Sequence, residues 1–371
     1  MSGDEPPEPE QPDGVPPGRA LRSGWTTGAC AAAAAKAAFV ALTTGAFPET
    51  VAITLPRGQR PSFAIVHSGW DDTGPTAGVI KDAGDDPDVT HGAMILATVA
   101  AGAPGSGVQF RAGAGVGTVT RPGLPLGVGE PAINPGPRAM IAAALGDAAD
   151  GRAPDVVVTV SIPGGEQLAA KTLNARLGIV GGLSVLGTTG IVVPFSCSAW
   201  IHSIHRGIDV ARASGLRHIA AATGSTSEAA VQRLLGLQEA ALIDMGDFIG
   251  GTLKYLRHHP VDRLTVAGGF AKVAKLAQGA MDLHSGRSRI DLSRLGAVAA
   301  ASGAAPEVVS EIAAAESAGQ ALAIADAAGL RLADAVAHAA RAVVRETLAD
   351  ATAVDVFVFD RAGALIGHAA A

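Results

Sequence analysis

The second half of the sequence alternates between short apolar segments and helical patterns, and this alternation restricts the fold more than any other feature. Segments that predict strands are 191–195, 218–222, 240–244, 264–267 and 354–359. Helical patterns such as 227–235 and 248–258 lie between them. Strands separated by helices favour a parallel sheet covered by helices. We therefore expect residues 184–371 to form a Rossmann-like α/β domain with a mainly parallel sheet.

The first half has a different pattern. An alanine-rich run at 25–42 predicts a buried helix, and short β-like pieces follow at 51–55 and 63–66. Pro56-Arg57-Gly58 between these pieces is typical of a hairpin turn. A further strand-like run at 108–119 is interrupted by glycines. Residues 21–183 are therefore expected to form an N-terminal α+β domain with an antiparallel sheet.

A glycine-rich stretch joins these two patterns. Between residues 157 and 193, apolar β-rich runs are broken by closely spaced glycines, which let a backbone approach a ligand and offer N–H donors. We expect residues 157–171 to complete the first domain. Residues 178–190 are expected to form the crossing into the second, with their glycines acting as a hinge and as the wall of a cleft.

Composition limits the class of protein. The 371 residues are 48% hydrophobic, which is enough for two cores, and the net charge is only −6 with 4% aromatic residues. The absence of a basic excess argues against a nucleic-acid partner. Glycine, proline and polar residues are expected to interrupt each apolar run before the roughly 18 to 20 residues that a membrane span needs, so no membrane association is expected.

The N-terminal residues and the cysteines bear on location. Residues 1–20 are rich in proline and acidic side chains, which predicts a disordered acidic tail without the features of a secretory signal. Cys30 and Cys197 form no metal-ligand or redox motif. A reducing cytoplasm is therefore the expected location.

Several loops rich in small residues adjoin the predicted strands of the second half. They are 187–190, which leads into a strand, and 223–227, 245–247 and 268–270, which follow strands. Ligands of open α/β sheets bind outside the carboxyl ends of the strands, so these loops predict a pocket. The alternative is structural, because sharp strand-to-helix turns also need small residues and Ser225-x-x-Glu228 fits a capping box.

Basic residues are concentrated between positions 250 and 291. The local charge is about +4 in a chain that is otherwise acidic. Lys272 and Lys275 share a helix face, and Arg287 and Arg289 follow His284-Ser285-Gly286. These cations could meet an anionic ligand near the sheet edge, or form a solvated surface.

Other motifs are weak. Gly127–Ala132 matches G-x-G-x-x-A in letters only, because it contains a proline and lacks the strand-to-helix context of a dinucleotide site. His202 and His205 are three residues apart but have no third ligand nearby in sequence, so no metal site is assigned. The acidic cluster at 71–72, 82 and 85–88, which is followed by Thr90-His91-Gly92, is typical either of a general base or cation site, or of a capped turn. Cys30 fits either a thiolate at a helix start or a small packed residue.

Long segments carry a family resemblance. They are 26–38, 81–92, 115–124, 129–135, 245–251, 267–272 and 284–288. These segments resemble the CbiD family of cobalt-precorrin-5B C1-methyltransferases over about residues 21–291, with Ala29 as the one departure from the motifs. The resemblance implies methyl transfer from S-adenosyl-L-methionine to C1 of a corrinoid ring on the anaerobic route to cobalamin. Cobalt then enters only as part of the substrate, and no protein-bound metal is expected.

The resemblance and the loop positions together suggest site residues. The candidate cofactor-binding residues are Gly187, Thr188, Thr189, Gly190, Thr223, Gly224, Ser225 and Asp247. The candidate substrate-binding residues are Arg121, Arg138, Lys272, Lys275, Arg287 and Arg289, because a polycarboxylate macrocycle needs cationic donors. The candidate catalytic residues are Asp247 and His284, chosen from their location alone.

Two other functions would use a similar α/β domain and cationic residues. A nicotinamide-dependent reductase of the same ring system would need a G-x-G-x-x-G turn after a strand, and the sequence has none. A non-catalytic corrinoid carrier would bind the ring without S-adenosylmethionine. The expected partner is the corrinoid small molecule, and whether the chain forms a homo-oligomer is left open.

Overall fold

A computed structural model describes residues 20–350 and 352–371. The expected acidic tail therefore lies outside the described residues, except for Ala20. The chain divides into two compact units, of which unit 1 comprises positions up to 120 together with 125–196. Unit 2 comprises 121–124 and 197–371. The sequence-based boundary between residues 183 and 184 falls earlier, inside unit 1.

Unit 1 contains eleven strands and three helices among its described residues. The strands are β1 (Gly24–Trp25), β2 (Thr50–Ala52), β3 (Ser62–Ala64), β4 (His67–Asp71), β5 (Gly74–Ile80), β6 (Met94–Ala101), β7 (Val108–Ala112), β8 (Thr118–Val119), β9 (Val156–Ser161), β10 (Ile179–Val180) and β11 (Ile191–Val192). The helices are α1 (Thr27–Thr44), α2 (Pro135–Ala148) and α3 (Gly165–Ala169).

The main sheet of unit 1 has the order β4-β5-β6-β9-β7. Its pairs are antiparallel except β7 with β9, which are parallel. Alternate residues of β6 and β9 are buried, and α1 packs against β5 and β6 on that face. The predicted hairpin is present as β2 and β3. The predicted α+β class is therefore confirmed.

Helix α1 forms the centre of the unit 1 core. Thr26 is its N-cap and accepts a hydrogen bond from the backbone of Ala29, and Gly45 ends it at φ +81°. By length and composition its 18 residues could cross a membrane, which corrects the expectation that every apolar run is interrupted. However, 72% of this helix is buried inside the protein. Its alanines therefore serve close packing against β5, β6 and α2.

The glycine-rich stretch is where the sequence-based interpretation was wrong. Residues 178–190 belong to unit 1, and β10 pairs with β8. Residues 191–195, predicted as a strand of the α/β sheet, supply β11, which pairs with β1. A Cβ on Gly182 would lie 2.3 Å from the backbone of Gly115, so this glycine permits two backbones to meet inside unit 1.

Unit 2 contains five strands and eight helices among its described residues, besides one short 3₁₀ turn (Glu239–Ala241). The strands are β12 (His218–Ala222), β13 (Leu242–Asp244), β14 (Arg263–Gly269), β15 (Ala353–Phe359) and β16 (Leu365–Ala369). The helices are α4 (Cys197–Ala213), α5 (Ser225–Leu235), α6 (Ile249–His258), α7 (Phe270–Ala277), α8 (Leu292–Ala301), α9 (Pro306–Ala313), α10 (Ala318–Ala327) and α11 (Leu332–Leu348).

The sheet of unit 2 has the order β13-β12-β14-β15-β16, and only β16 is antiparallel. Ile219 and Ala221 enter the larger core, whereas Ala220 and Ala222 enter the core under α5, so helices cover both faces. The predicted Rossmann-like α/β class is confirmed. The chain moves from β12 outward to β13 and then returns to the other side of β12 as β14. The strand order therefore reverses between β12 and β14.

Candidate functional site

Two loops and the start of α7 meet at the carboxyl edge of the parallel strands in unit 2. The loops follow β12 at Thr223 and β13 at Met245, whereas α7 begins at Phe270, directly after β14. The loop after β12 and the start of α7 flank the point where the strand order reverses, which is the usual ligand position in such sheets. A Cβ on Gly268 would lie 2.9 Å from Thr223 Oγ1, so glycine at this position lets the two strand ends pack closely.

Lys272 joins these loops. It lies in the first turn of α7, and its Nζ donates a hydrogen bond of 2.8 Å to the carbonyl of Thr223. The same ammonium lies 3.0 Å from Asp247 Oδ1. The Lys272 ammonium therefore connects the loop after β12 to the loop after β13. It can reach both loops because α7 begins directly after β14, next to β12 in the sheet.

Asp247 retains an unused acceptor. Its Oδ1 is buried and accepts no hydrogen bond of good geometry from the described residues, although the Lys272 ammonium balances its charge. The backbone is fixed separately, because the amide of Leu283 donates to the carbonyl of Asp247 at 3.0 Å. A buried carboxylate oxygen without a donor is costly. The Asp247 side chain as a whole is 22% exposed, so a ligand hydroxyl or amine can reach the open side of its carboxylate.

The start of α5 offers backbone donors. Gly224 is the N-cap, with extended backbone at φ 165°, and provides no side-chain cap. The predicted capping box therefore does not form with Ser225 as its cap, and the hydroxyl of Ser227 donates to the carbonyl of Gly224 at 2.9 Å. A Cβ on Gly224 would meet nothing within 4 Å. The first-turn N–H groups and the helix dipole suit a negatively charged ligand group.

The segment 281–288 borders the same edge. Asp282 accepts from the amide of His284 at 3.0 Å and from Arg287 Nε at 2.6 Å, which raises the pKa of Arg287. Nδ1 of His284 accepts from the amide of Gly286 at 3.1 Å, so the neutral ring carries its proton on Nε2.

Lys275 supports this segment from inside. It is buried, and its Nζ donates to the carbonyl of Leu283 at 2.8 Å. Burial, together with the neighbouring Lys272 ammonium, lowers the pKa of Lys275, although Asp247 and Asp282 oppose that shift. Arg289 is exposed to solvent.

The predicted cofactor-binding residues are divided between the two units. Gly187, Thr188, Thr189 and Gly190 belong to unit 1, whereas Thr223, Gly224, Ser225 and Asp247 belong to unit 2. A Cβ on Gly187, at φ +116°, would lie 2.3 Å from the side chain of Thr26. The carbonyl of Gly190 accepts from the amide of Thr26 at 3.0 Å. This loop therefore packs on the start of α1, and its role in donor binding stays a prediction.

The two remaining arginines also differ in unit. Arg138, on α2, donates to the carbonyls of Ile133 and Pro131 and pairs with Glu130 at 2.7 Å. Arg121 belongs to unit 2. Their roles in substrate binding stay predictions.

Sequence profiles identify the family. The CbiD profile matches residues 15–194, and the profile of the CbiD C-terminal domain matches residues 282–370. The chain belongs to the CbiD family. It is 62% identical to a cobalt-precorrin-5B C(1)-methyltransferase of Bradyrhizobium sp. over 95% of each chain. It is 57% identical to the protein of that name in Rhodospirillum rubrum, over 95% of this chain and 98% of the relative.

A crystal structure of a cobalamin biosynthesis protein (cbiD) from Archaeoglobus fulgidus is 29% identical to this CbiD-family chain. The alignment covers 72% of this chain and 83% of that one, with a TM-score of 0.40.

One segment that carries the family resemblance, residues 81–92, folds as a capped turn in unit 1. Lys81 is 1% exposed and forms an ion pair with Asp88 and a hydrogen bond to Thr90. Asp82 pairs with Arg22, which lowers the pKa of Asp82 to about 2. The sequence allowed either a general base or cation site or a capped turn here, and at residues 82–88 the structure shows the capped turn.

Cys30 is a packed residue in this CbiD-family chain. Its side chain is fully buried in α1, and burial raises the pKa of its thiol to about 12. A thiolate at the helix start is therefore disfavoured at neutral pH.

The histidines of α4 are partly engaged in an aromatic stack. The rings of His202 and His205 are 6.3 Å apart, and His205 stacks on Tyr255 at 3.9 Å. Tyr255 stacks in turn on His259 at 4.0 Å. Within residues 20–350 and 352–371, no group of three or more histidine, cysteine or acidic residues is arranged to hold a metal ion.

Sequence reasoning missed the aromatic residues beside the site. Trp200 on α4 is 46% exposed, and its ring centroid lies 6.5 Å from that of Phe248. Arg287 lies 6.0 Å from the Phe248 ring. Tryptophan is scarce in the chain, with three residues in all, and this was the available signal. Its exposure depends on how α4 and α6 pack, which periodicity does not specify.

Proposed function

We propose that this chain transfers a methyl group from S-adenosyl-L-methionine to C1 of cobalt-precorrin-5B, on the anaerobic route to cobalamin. The observation that carries this proposal is the identity of 54–62% over nearly the whole chain to relatives of that name. The carboxyl edge of unit 2 supports it, because it combines backbone donors, a carboxylate and cations at the strand ends.

The residues of this edge fit S-adenosylmethionine. The start of α5 at Gly224 suits the carboxylate of the methionine portion, and the partly exposed carboxylate of Asp247 suits its amine or a ribose hydroxyl. When bound, S-adenosylmethionine supplies a methyl group activated by a positively charged sulfur.

The chain itself contributes mainly positioning and charge. Methyl transfer needs the donor and the acceptor carbon in line, so much of the rate can come from orientation without a covalent enzyme intermediate. Lys272 keeps the loops after β12 and β13 together, and Arg287 and Arg289 offer cations to the substrate carboxylates. Asp247 and His284 stay as candidate catalytic residues.

The same proposal covers location and partners. A soluble cytoplasmic enzyme acting on a small corrinoid agrees with two free cysteines, Cys30 and Cys197, and with an apolar α1 that is buried in unit 1.

Incubation with cobalt-precorrin-5B and methyl-labelled S-adenosylmethionine tests the activity directly. We expect one labelled methyl group per ring, at C1, located by mass spectrometry and NMR. Corrinoid binding without label transfer would favour the carrier alternative. Consumption of a reduced nicotinamide in place of label transfer would favour the reductase.

Gly224→Val tests the donor site. The valine side chain would enter open space, and the backbone at this position is extended, so the fold is expected to persist. The side chain would obstruct the position proposed for the carboxylate of S-adenosylmethionine. We expect the Kd for S-adenosylmethionine, measured by isothermal titration calorimetry, to rise about tenfold.

Gly69→Val on β4 is the matched control, because a Cβ there would have its nearest contact at 3.8 Å. Thermal unfolding should be similar for both variants and the parent. An unchanged donor affinity in folded Gly224→Val would contradict this placement of the donor.

A further inference from the structure

An exposed apolar surface adjoins the carboxyl edge of unit 2. We define the Trp200 surface as Trp200 and Phe248, with Arg287 at its border. Trp200 is 46% exposed although its side chain is large and apolar, and its ring lies beside that of Phe248. Exposed apolar residues that lie together in this way often mark a binding surface.

The surface is continuous with the loop that carries Asp247. A Cβ on Gly246, at φ +53°, would lie 3.6 Å from the indole Nε1 of Trp200, so the indole covers the residue directly before Asp247. Phe248 follows Asp247 in sequence, and its ring lies 6.5 Å from that of Trp200. The two residues that flank Asp247 in sequence, Gly246 and Phe248, therefore both lie beside the Trp200 indole.

The charge at the border is positive. The Arg287 guanidinium lies 6.0 Å from the Phe248 ring and is partly balanced by Asp282. Lys272 is paired with Asp247, whereas Arg289, two residues after Arg287, is exposed. An aromatic surface bordered by cations matches a conjugated macrocycle that carries carboxylates around its rim.

We propose that the Trp200 surface binds the apolar face of the corrinoid macrocycle, with Arg287 meeting carboxylates on its rim. This proposal rests on the proposed function and adds the ring-binding residues to it. Continuity with the Asp247 loop and the bordering cations favour this occupant. An adenine ring could also stack on the indole, so donor affinity is measured in the same experiment.

The test uses Trp200→Ala and Trp200→Phe in the full-length protein, with cobyrinic acid as a cobalt corrinoid that carries free carboxylates. Absorbance titration should show a Kd about tenfold higher for Trp200→Ala, whereas Trp200→Phe should stay within about threefold because an aromatic ring is kept. The Kd for S-adenosylmethionine should not change in either variant. Arg287→Gln should weaken binding of cobyrinic acid more than binding of its amidated analogue.

Trp70→Ala is the matched control. Trp70 on β4 is 56% exposed and packs edge-on against Phe47 at 5.9 Å, so it is a second exposed tryptophan beside a phenylalanine. We expect no change in the Kd for cobyrinic acid. Thermal unfolding of each variant verifies the fold.

Three results would overturn the inference: no binding of cobyrinic acid by the parent, an equal affinity in folded Trp200→Ala, or a loss of affinity for S-adenosylmethionine alone. Methyl transfer to cobalt-precorrin-5B would then still support the proposed function, and only the ring site would be rejected. An absence of methyl transfer by the parent rejects the proposed function itself, whatever the variants bind.

Discussion

Asp247→Ala is expected to lower the rate of methyl transfer about 100-fold, or ~2.7 kcal/mol, without unfolding the chain. Asp247 is the only described residue that pairs with Lys272, and the same ammonium holds the carbonyl of Thr223. Removing the Asp247 carboxylate takes away the hydrogen-bond acceptor that we propose for S-adenosylmethionine. It also loosens the cation that connects the two loops.

A double-mutant comparison separates these roles. If the pair acts as a unit, Asp247→Ala combined with Lys272→Ala should be no slower than the slower single variant. Asp247→Asn should lose less activity, because its amide oxygen can still accept a hydrogen bond. The measurement is the initial rate of label transfer, together with the Kd for S-adenosylmethionine.

Asp262→Ala is the matched control for this prediction. Asp262 directly precedes β14, at the opposite edge of the sheet, and pairs with Arg217, with both side chains exposed. An exposed pair of this kind contributes little to stability, so rate and Kd should stay unchanged. Equal rates for Asp247→Ala and the parent would contradict the proposed role of Asp247.

Lys81→Met is expected to destabilise the protein by about 3 kcal/mol at neutral pH. Lys81 is 1% exposed, and its loss leaves the Asp88 carboxylate without its cation. The lower end of the usual range applies because the Asp88 side chain is 23% exposed and keeps some contact with water. Urea unfolding followed by tryptophan fluorescence measures the change, since Trp25 packs against Phe63 in unit 1.

The effect should depend on pH in a defined direction. Burial alone would raise the pKa of Asp88, but the Lys81 ammonium and hydrogen bonds from Thr90 lower it overall. A carboxylate with a lowered folded pKa stabilises above its unfolded pKa, and this contribution disappears as the pH falls through the folded value. The difference between Lys81→Met and the parent should therefore shrink below about pH 4.

Lys171→Met serves as the control, because Lys171 is exposed. Its free energy of unfolding should stay within about 0.5 kcal/mol of the parent at every pH. A Lys81→Met variant as stable as this control would show that the buried pair is not a main support of unit 1.

The elements with a strong local pattern were predicted well. Helix α1 and strands β12, β14 and β15 are close to their predicted positions, because a long alanine-rich run has a high helix propensity and short apolar segments are typical of buried strands. The hairpin of β2 and β3 was predicted from its turn residues. By contrast, residues 191–195 have the composition of an α/β strand, yet β11 pairs with β1 in unit 1. Pairing partners distant in sequence leave no local signal.

The candidate site was only partly predictable, for the same reason. Asp247 and Lys272 were both selected from loops and charge, but their separation of 3.0 Å depends on the order β13-β12-β14. The sequence grouped Gly187–Gly190 with the loop at Thr223, whereas the structure gives the two loops to different units. Trp200 was not selected at all, because exposure depends on the packing of helices.

The sequence by itself determined the two fold classes, the buried helix α1 and the membership in the CbiD family, since periodicity and long motifs are properties of contiguous residues. The tertiary structure alone decided which segments pack closely at the glycines of residues 178–190, such as Gly182 against the backbone of Gly115. It also decided that Lys272 connects two strand ends and that an exposed tryptophan borders Asp247. These features arise from contacts between residues far apart in the chain, and only strand order and helix packing specify them.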